Sequence, residues 1–136
     1  MRAAWVIVLG GLGALGCATP APPPTEPPTP RTMVSEPGGQ VTLLVRQELG
    51  LQLQANVTTG YSWAVVPPLP DVLTVVDSGT YHPPTDSDAG VGAAGTTSFV
   101  FLAVRRGKGV LQLVYRRPWE RDVTPARTVT VDVEVR

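Results

Sequence analysis

Residues 90–95, Gly-Val-Gly-Ala-Ala-Gly, match the Gly-x-Gly-x-x-Gly pattern that cradles a dinucleotide pyrophosphate. That chemistry needs a strand before the pattern and a helix after it, because the helix N-terminus supplies the N–H groups that hold the phosphates. Here Pro-Pro-Thr-Asp-Ser-Asp-Ala precedes it and Thr-Thr-Ser-Phe-Val-Phe-Leu-Ala-Val follows. The glycines therefore read as a flexible or tightly turned loop, and no cofactor is expected. A thiol nucleophile would have to be Cys17 beside His82, the one cysteine and the one histidine of the chain. Cys17 belongs to the N-terminal export signal described below, and His82 reads as a solvated loop residue with no nucleophile elbow to serve. Asp86 and Asp88 lack the glycine and glutamate of a calcium loop. Glu120, Asp122 and Glu134 offer carboxylates for glycoside hydrolysis, but Glu134 sits on the polar side of a strand pattern, where solvation explains it. No metal site, no catalytic residue and no enzyme activity are expected.

The residues left over are suited to binding. Arg117-Pro118-Trp119 follows an apolar run and joins a restricted backbone angle to two side chains that often anchor interfaces. Asn56-Val57-Thr58-Thr59-Gly60-Tyr61-Ser62-Trp63 places small hydroxyl residues at a turn. Alternation puts Tyr61 and Trp63 on one face, supporting that turn from the inside.

The elements that would position these loops are strands. The chain has 136 residues with 15 prolines and 14 glycines, room for one ordinary domain but too much punctuation for long helices. At the C-terminus Val129, Val131, Val133 and Val135 alternate with Thr128, Thr130, Asp132 and Glu134, the pattern of a half-buried strand. Val41–Val45, Leu51–Ala55, Ser62–Val66, Val72–Val76, Ser98–Val104 and Val110–Tyr115 read similarly. About seven short strands without a helical stripe predict an all-β, immunoglobulin-like sandwich. Gly107-Lys108-Gly109 reads as a hairpin turn between two of them.

Residues 1–17 carry Arg2, an apolar run from Ala3 to Leu15, and then Gly16 and Cys17. This is the grammar of a signal peptide, too short to span a bilayer comfortably. Its Ala-Leu-Gly-Cys end resembles a bacterial lipobox, which makes Cys17 the expected lipid attachment point. Leucine stands one place late for that motif. An exported protein tethered to the cell envelope, periplasmic or at the outer membrane, is expected, with simple secretion as the alternative. Residues 18–38, rich in proline, read as an extended flexible linker, and residues 39–136 as the domain. Eleven basic and eleven acidic side chains leave no net charge, so no nucleic-acid partner is expected and the membrane is reached only through the lipid. A monomer is expected.

In order along the chain, the three loops resemble the chagasin family of cysteine-peptidase inhibitors. That family carries an Asn-Pro-Thr-Thr-Gly-Tyr/Phe-x-Trp loop, a Gly-x-Gly-Gly loop and an Arg-Pro-Trp loop. This chain supplies Asn56, Thr58, Thr59, Gly60, Tyr61 and Trp63 for the first; Gly92, Ala93, Ala94 and Gly95 for the second; and Arg117, Pro118 and Trp119 for the third. The resemblance implies reversible, non-covalent inhibition of papain-like cysteine peptidases by three loops entering the active-site cleft together. It places Thr58 and Thr59 beside the peptidase's catalytic residues, the second loop backbone-on against the cleft, and Trp119 as an aromatic anchor with Arg117 and Glu120 at its rim. Two departures carry expectations of their own. Val57 in place of proline should leave the first loop less preorganised, and Ala94 in place of glycine should hinder close approach if its φ must be positive. The competing reading is an adhesion or carbohydrate-binding module using Trp119 and Tyr81 as platforms, indifferent to Thr58 and Thr59.

Overall fold

The computed structural model describes residues 30–34, 38–85, 90 and 92–136. The signal peptide with Cys17, most of the proline-rich linker, and Asp86 and Asp88 lie outside the described residues. Eight strands form two four-stranded sheets: β1 (Arg31–Val34), β3 (Glu48–Ala55), β6 (Gly95–Ala103) and β5 (Leu73–His82), in the order β1-β3-β6-β5, face β2 (Gly39–Leu43), β8 (Arg127–Val135), β7 (Gly107–Arg116) and β4 (Ser62–Val65), in the order β2-β8-β7-β4. The β1/β3 and β2/β8 pairs are parallel and the others antiparallel. No helix of the described residues is long and apolar enough to cross a membrane.

The core is what the alternation dictated. Leu49, Leu51, Leu53 and Ala55 of β3 and Phe99, Phe101 and Ala103 of β6 face Leu111 and Leu113 of β7 and Val129, Val131, Val133 and Val135 of β8, all buried, while Gln52, Gln54, Gln112 and Thr130 between them are exposed. Among the described residues, every buried member of this core lies between Leu43 and Val135. The described residues therefore carry a hydrophobic interior of their own.

Three expectations need correction. Residues 31–34 were expected in the linker, but they form β1, in register from Arg31↔Glu48 to Val34↔Leu51. A four-residue edge strand has too few positions to show a period, and its Met33 covers Gly50, where a Cβ would collide with the methionine sulfur. Gly107-Lys108-Gly109 is not a hairpin turn, because β6 and β7 belong to opposite sheets and the three residues open β7, paired with Val135, Glu134 and Val133. The glycines answer a packing demand instead: Gly107 has φ +145°, and a Cβ on Gly109 would run into Pro70. Finally, β5 runs on to His82 and is an exposed edge beyond Leu73, with Val75 and Val76 solvent-facing and its register shifted on both sides of Asp77.

Candidate functional site

Strand pairing brings the three sequence motifs to one end of the sandwich. Ala55, at the end of β3, pairs with Gly95, at the start of β6; Ser62, at the start of β4, pairs with Arg116, at the end of β7; and Tyr115 pairs with Arg127, at the start of β8. The connections β3–β4, β5–β6 and β7–β8 must therefore emerge side by side.

In the first connection Val57–Thr59 form one turn of 3-10 helix between Asn56 and Gly60. Asn56, with φ −123° and ψ 99°, caps the turn: its Oδ1 accepts from the Thr58 N–H at 3.1 Å and from the Thr58 hydroxyl at 2.6 Å. The Thr59 hydroxyl donates to the Asn56 carbonyl at 2.8 Å, and the Gly60 N–H to the Val57 carbonyl at 3.1 Å. Gly60 closes the turn at φ 78°, a conformation that costs a residue with a Cβ roughly 1–2 kcal/mol. Val57 stands at the first position of the turn, where proline is favoured. The order that proline would supply comes here from hydrogen bonds, which leave Val57, Thr58 and Thr59 exposed at the tip.

The other two connections are tied to the first. Asn56 Nδ2 donates to the Gly92 carbonyl at 2.8 Å, and Arg117 Nε donates to the Thr59 carbonyl at 3.2 Å. Arg117 also pairs with Glu120 at 3.2 Å and lies 4.6 Å from the centre of the Tyr61 ring. It braces the first loop as well as sitting at the rim of the third. Trp119 is 68% exposed, and the edge of its indole lies over Gly60, where a Cβ would come within 2.7 Å of it. Pro118 is exposed beside it.

Beneath the loops is a residue the motif reading missed. Tyr115 accepts at its hydroxyl from the Asn56 N–H at 2.8 Å and donates back to the Asn56 carbonyl at 3.3 Å. Its ring stacks on Tyr61, with centroids 5.3 Å apart, and tilts against Trp63 at 5.0 Å. Trp63, buried, donates its indole N–H to the Gln54 carbonyl at 3.0 Å. Tyr61 and Trp63 thus support the turn from within, as their alternation implied. Tyr115 was findable: it continues the inward row Leu111, Leu113 by two residues, which puts a phenol at the mouth of the core.

The second loop divides into two parts. Gly92, at φ 92°, and Ala94 are exposed and Ala93 is half-buried, whereas Gly95 is buried as the first residue of β6. Gly95 meets a need of the scaffold, because a Cβ there would strike the His82 carbonyl and the Tyr81 ring. Among the described residues Arg46 alone is non-glycine with positive φ, so Ala94 is unstrained. The Gly-x-Gly-x-x-Gly pattern leads into β6 and not into a helix. Glu120 is taken up by Arg117, and Glu134 lies at the far end of β8, so these carboxylates do not converge. Among the described residues no three His, Cys, Asp or Glu side chains cluster to hold a metal ion. Tyr81 is half-buried against Gly95 and presents no open aromatic platform.

Residues 42–133 match the family model described as chagasin family peptidase inhibitor I42. The chain belongs to the chagasin family. Members of that family are inhibitors and not enzymes. The cysteine protease inhibitor EhICP2 of Entamoeba histolytica has a similar structure, 23% identical over 81% of this chain and 99% of that one, with a TM-score of 0.70. ICP of Leishmania mexicana is 30% identical over 72% of this chain and 90% of its own, with a TM-score of 0.50. PbICP-C, solved in complex with falcipain-2, is 17% identical over 79% of this chain and 99% of its own, with a TM-score of 0.54. No curated protein sequence matches the chain.

Proposed function

We propose that this chagasin-family domain is a reversible, non-covalent inhibitor of papain-like cysteine peptidases that fills the active-site cleft with its three loops. The observation that carries this reading is the bonding of the loops to one another: Asn56 to Gly92, Arg117 to Thr59, and Trp119 over Gly60. A wedge whose loops brace one another loses little conformational freedom on association. Thr58 and Thr59 stand at the tip and are small enough for a narrow cleft. Gly92, Ala93 and Ala94 offer backbone to one side, and Pro118 and Trp119 an aromatic wall to the other. Asn56, Gly60 and Arg117 hold these surfaces in place, and Gly95 supports the second loop from below. The chain is exported and held at the cell envelope by a lipid on Cys17, a reading supported by the apolar run and the lipobox-like Ala-Leu-Gly-Cys.

The test is titration of residues 18–136, which retain β1, against papain and a cathepsin L-type peptidase with a fluorogenic peptide. Tight reversible inhibition that Thr59→Asp weakens at least tenfold is expected, since a carboxylate would be desolvated at the centre of the contact. Absence of inhibition by the folded domain at micromolar concentration would refute the proposal.

A further inference from the structure

The end of the sandwich opposite the three loops has a surface of its own. Two turns form it, Leu44–Gln47 between β2 and β3 and Val104–Arg106 between β6 and β7. They are joined directly, the Arg46 N–H donating to the Ala103 carbonyl at 2.7 Å and the Ala103 N–H to the Gln47 carbonyl at 2.9 Å. The turns expose three apolar side chains, Leu44 (63%), Val45 (38%) and Val104 (44%), among three exposed arginines, Arg46, Arg105 and Arg106. Arg46 is held there at φ 72°, a conformation uncommon for a residue with a side chain.

Among the described residues, the acidic side chains of this end are already engaged. Asp71 pairs with Arg105, Glu48 with Arg31, and Glu134 with Arg136 and Lys108. The hydrogen bond from Arg136 holds the Glu134 carboxyl below the usual carboxylate range. Arg46 and Arg106 make no ion pair among the described residues. A chain with no net charge therefore has a locally basic, partly apolar end.

The chain enters the fold at the same end. β1 runs parallel to β3, so Pro30 lies beside the start of β3, its carbonyl accepting from the Glu48 N–H at 3.0 Å. The apolar run Ala3–Leu15 and Cys17 are thus joined to the domain on its basic side, through a proline-rich segment that spans on the order of 40 Å when fully extended.

We propose that this end docks on an anionic lipid surface, with Leu44, Val45 and Val104 entering the headgroup boundary and the unpaired Arg46 and Arg106 pairing with lipid phosphates. Docked so, the three loops point away from the bilayer, open to a soluble peptidase. The contact depends on the folded domain alone, and so it is testable without acylation.

Residues 18–136, which lack Cys17 and keep the whole core, would be sedimented at low ionic strength with vesicles of phosphatidylcholine alone or with one third phosphatidylglycerol. The bound fraction should rise at least about tenfold with the anionic lipid and fall with added salt. Arg46→Glu combined with Arg106→Glu should abolish that gain, and Leu44→Ser combined with Val104→Ser should reduce it severalfold. The thermal midpoint and papain inhibition should stay at parental values in both, which separates this surface from the loop end and from loss of fold. Equal binding to neutral and anionic vesicles would overturn the proposal, as would full binding by the charge-reversed variant. Preference for polyglutamate or DNA over the vesicles would overturn it in favour of an acidic macromolecular partner.

Discussion

At the loop end of the sandwich, three connections are held together by side chains reaching to backbone: Asn56 to Gly92, Arg117 to Thr59, and Tyr115 to both sides of Asn56. At the opposite end the paths of the turns are set mainly by backbone to backbone, Arg46 to Ala103 and Arg136 to Leu43, with Gln47 reaching from its side chain to the Leu44 N–H and Thr32, while Leu44, Val45, Arg46, Val104 and Arg106 are left to solvent. The first arrangement fixes a shape through a few identifiable residues, so single substitutions there should change binding more than stability. The second fixes only the path of the chain, so its surface is free to vary without disturbing the loops.

The largest effect should come from Gly60→Ala. The added methyl must adopt φ 78° and displace the Trp119 ring, which together should cost roughly 3–4 kcal/mol, or several hundredfold in the inhibition constant. A change below tenfold would show that the Trp119–Gly60 contact is incidental. Trp119→Ala comes next. Removing an exposed aromatic anchor should weaken inhibition by about 2 kcal/mol, roughly thirtyfold, while the thermal midpoint stays within a degree or so. A fall in the midpoint with no loss of inhibition would make Trp119 a lid for the fold and not part of the wedge.

Removing β1 reverses the pattern. A chain beginning at residue 38 loses the four-residue ladder to β3, the Arg31–Glu48 pair and the cover over Gly50, and uncovers an edge. Its midpoint should fall by several degrees, as a loss of about 1–2 kcal/mol implies, with inhibition within threefold of the parent. Equal losses of stability and inhibition would mean that the two ends are not independent.

How far the sequence discloses this division depends on the length scale of the signal. The strands with four or more alternating positions, such as Val129 to Val135, were legible because burial repeats every second residue. β1 was not, since a parallel edge of four residues beside many prolines has no period to show. The loop residues Asn56, Gly60 and Trp119 were legible as a motif, but their mutual bonds were not, because Asn56 and Gly92 are 36 positions apart and Arg117 and Thr59 are 58. Gly107 and Gly109 misled for a related reason: a glycine that admits a neighbouring segment looks, in sequence, like one that makes a turn.

The smallest effect sharpens the comparison most, because it adds rigidity to one end without adding a contact. Val57 occupies the first position of the 3-10 turn, and Asn56 before it is already extended at φ −123° and ψ 99°, close to the region that a residue preceding proline favours. Val57→Pro should therefore fit without strain and raise stability by about 0.4–1 kcal/mol through the unfolded chain. If the hydrogen bonds around Asn56 already hold the turn in its binding shape, the inhibition constant should improve no more than about two- to fivefold. An improvement of fiftyfold or more would mean that the free loop samples other shapes and that the side-chain network is weaker than its geometry. A loss of inhibition would mean that the turn must open to enter the cleft, and the rigid wedge would be the wrong picture.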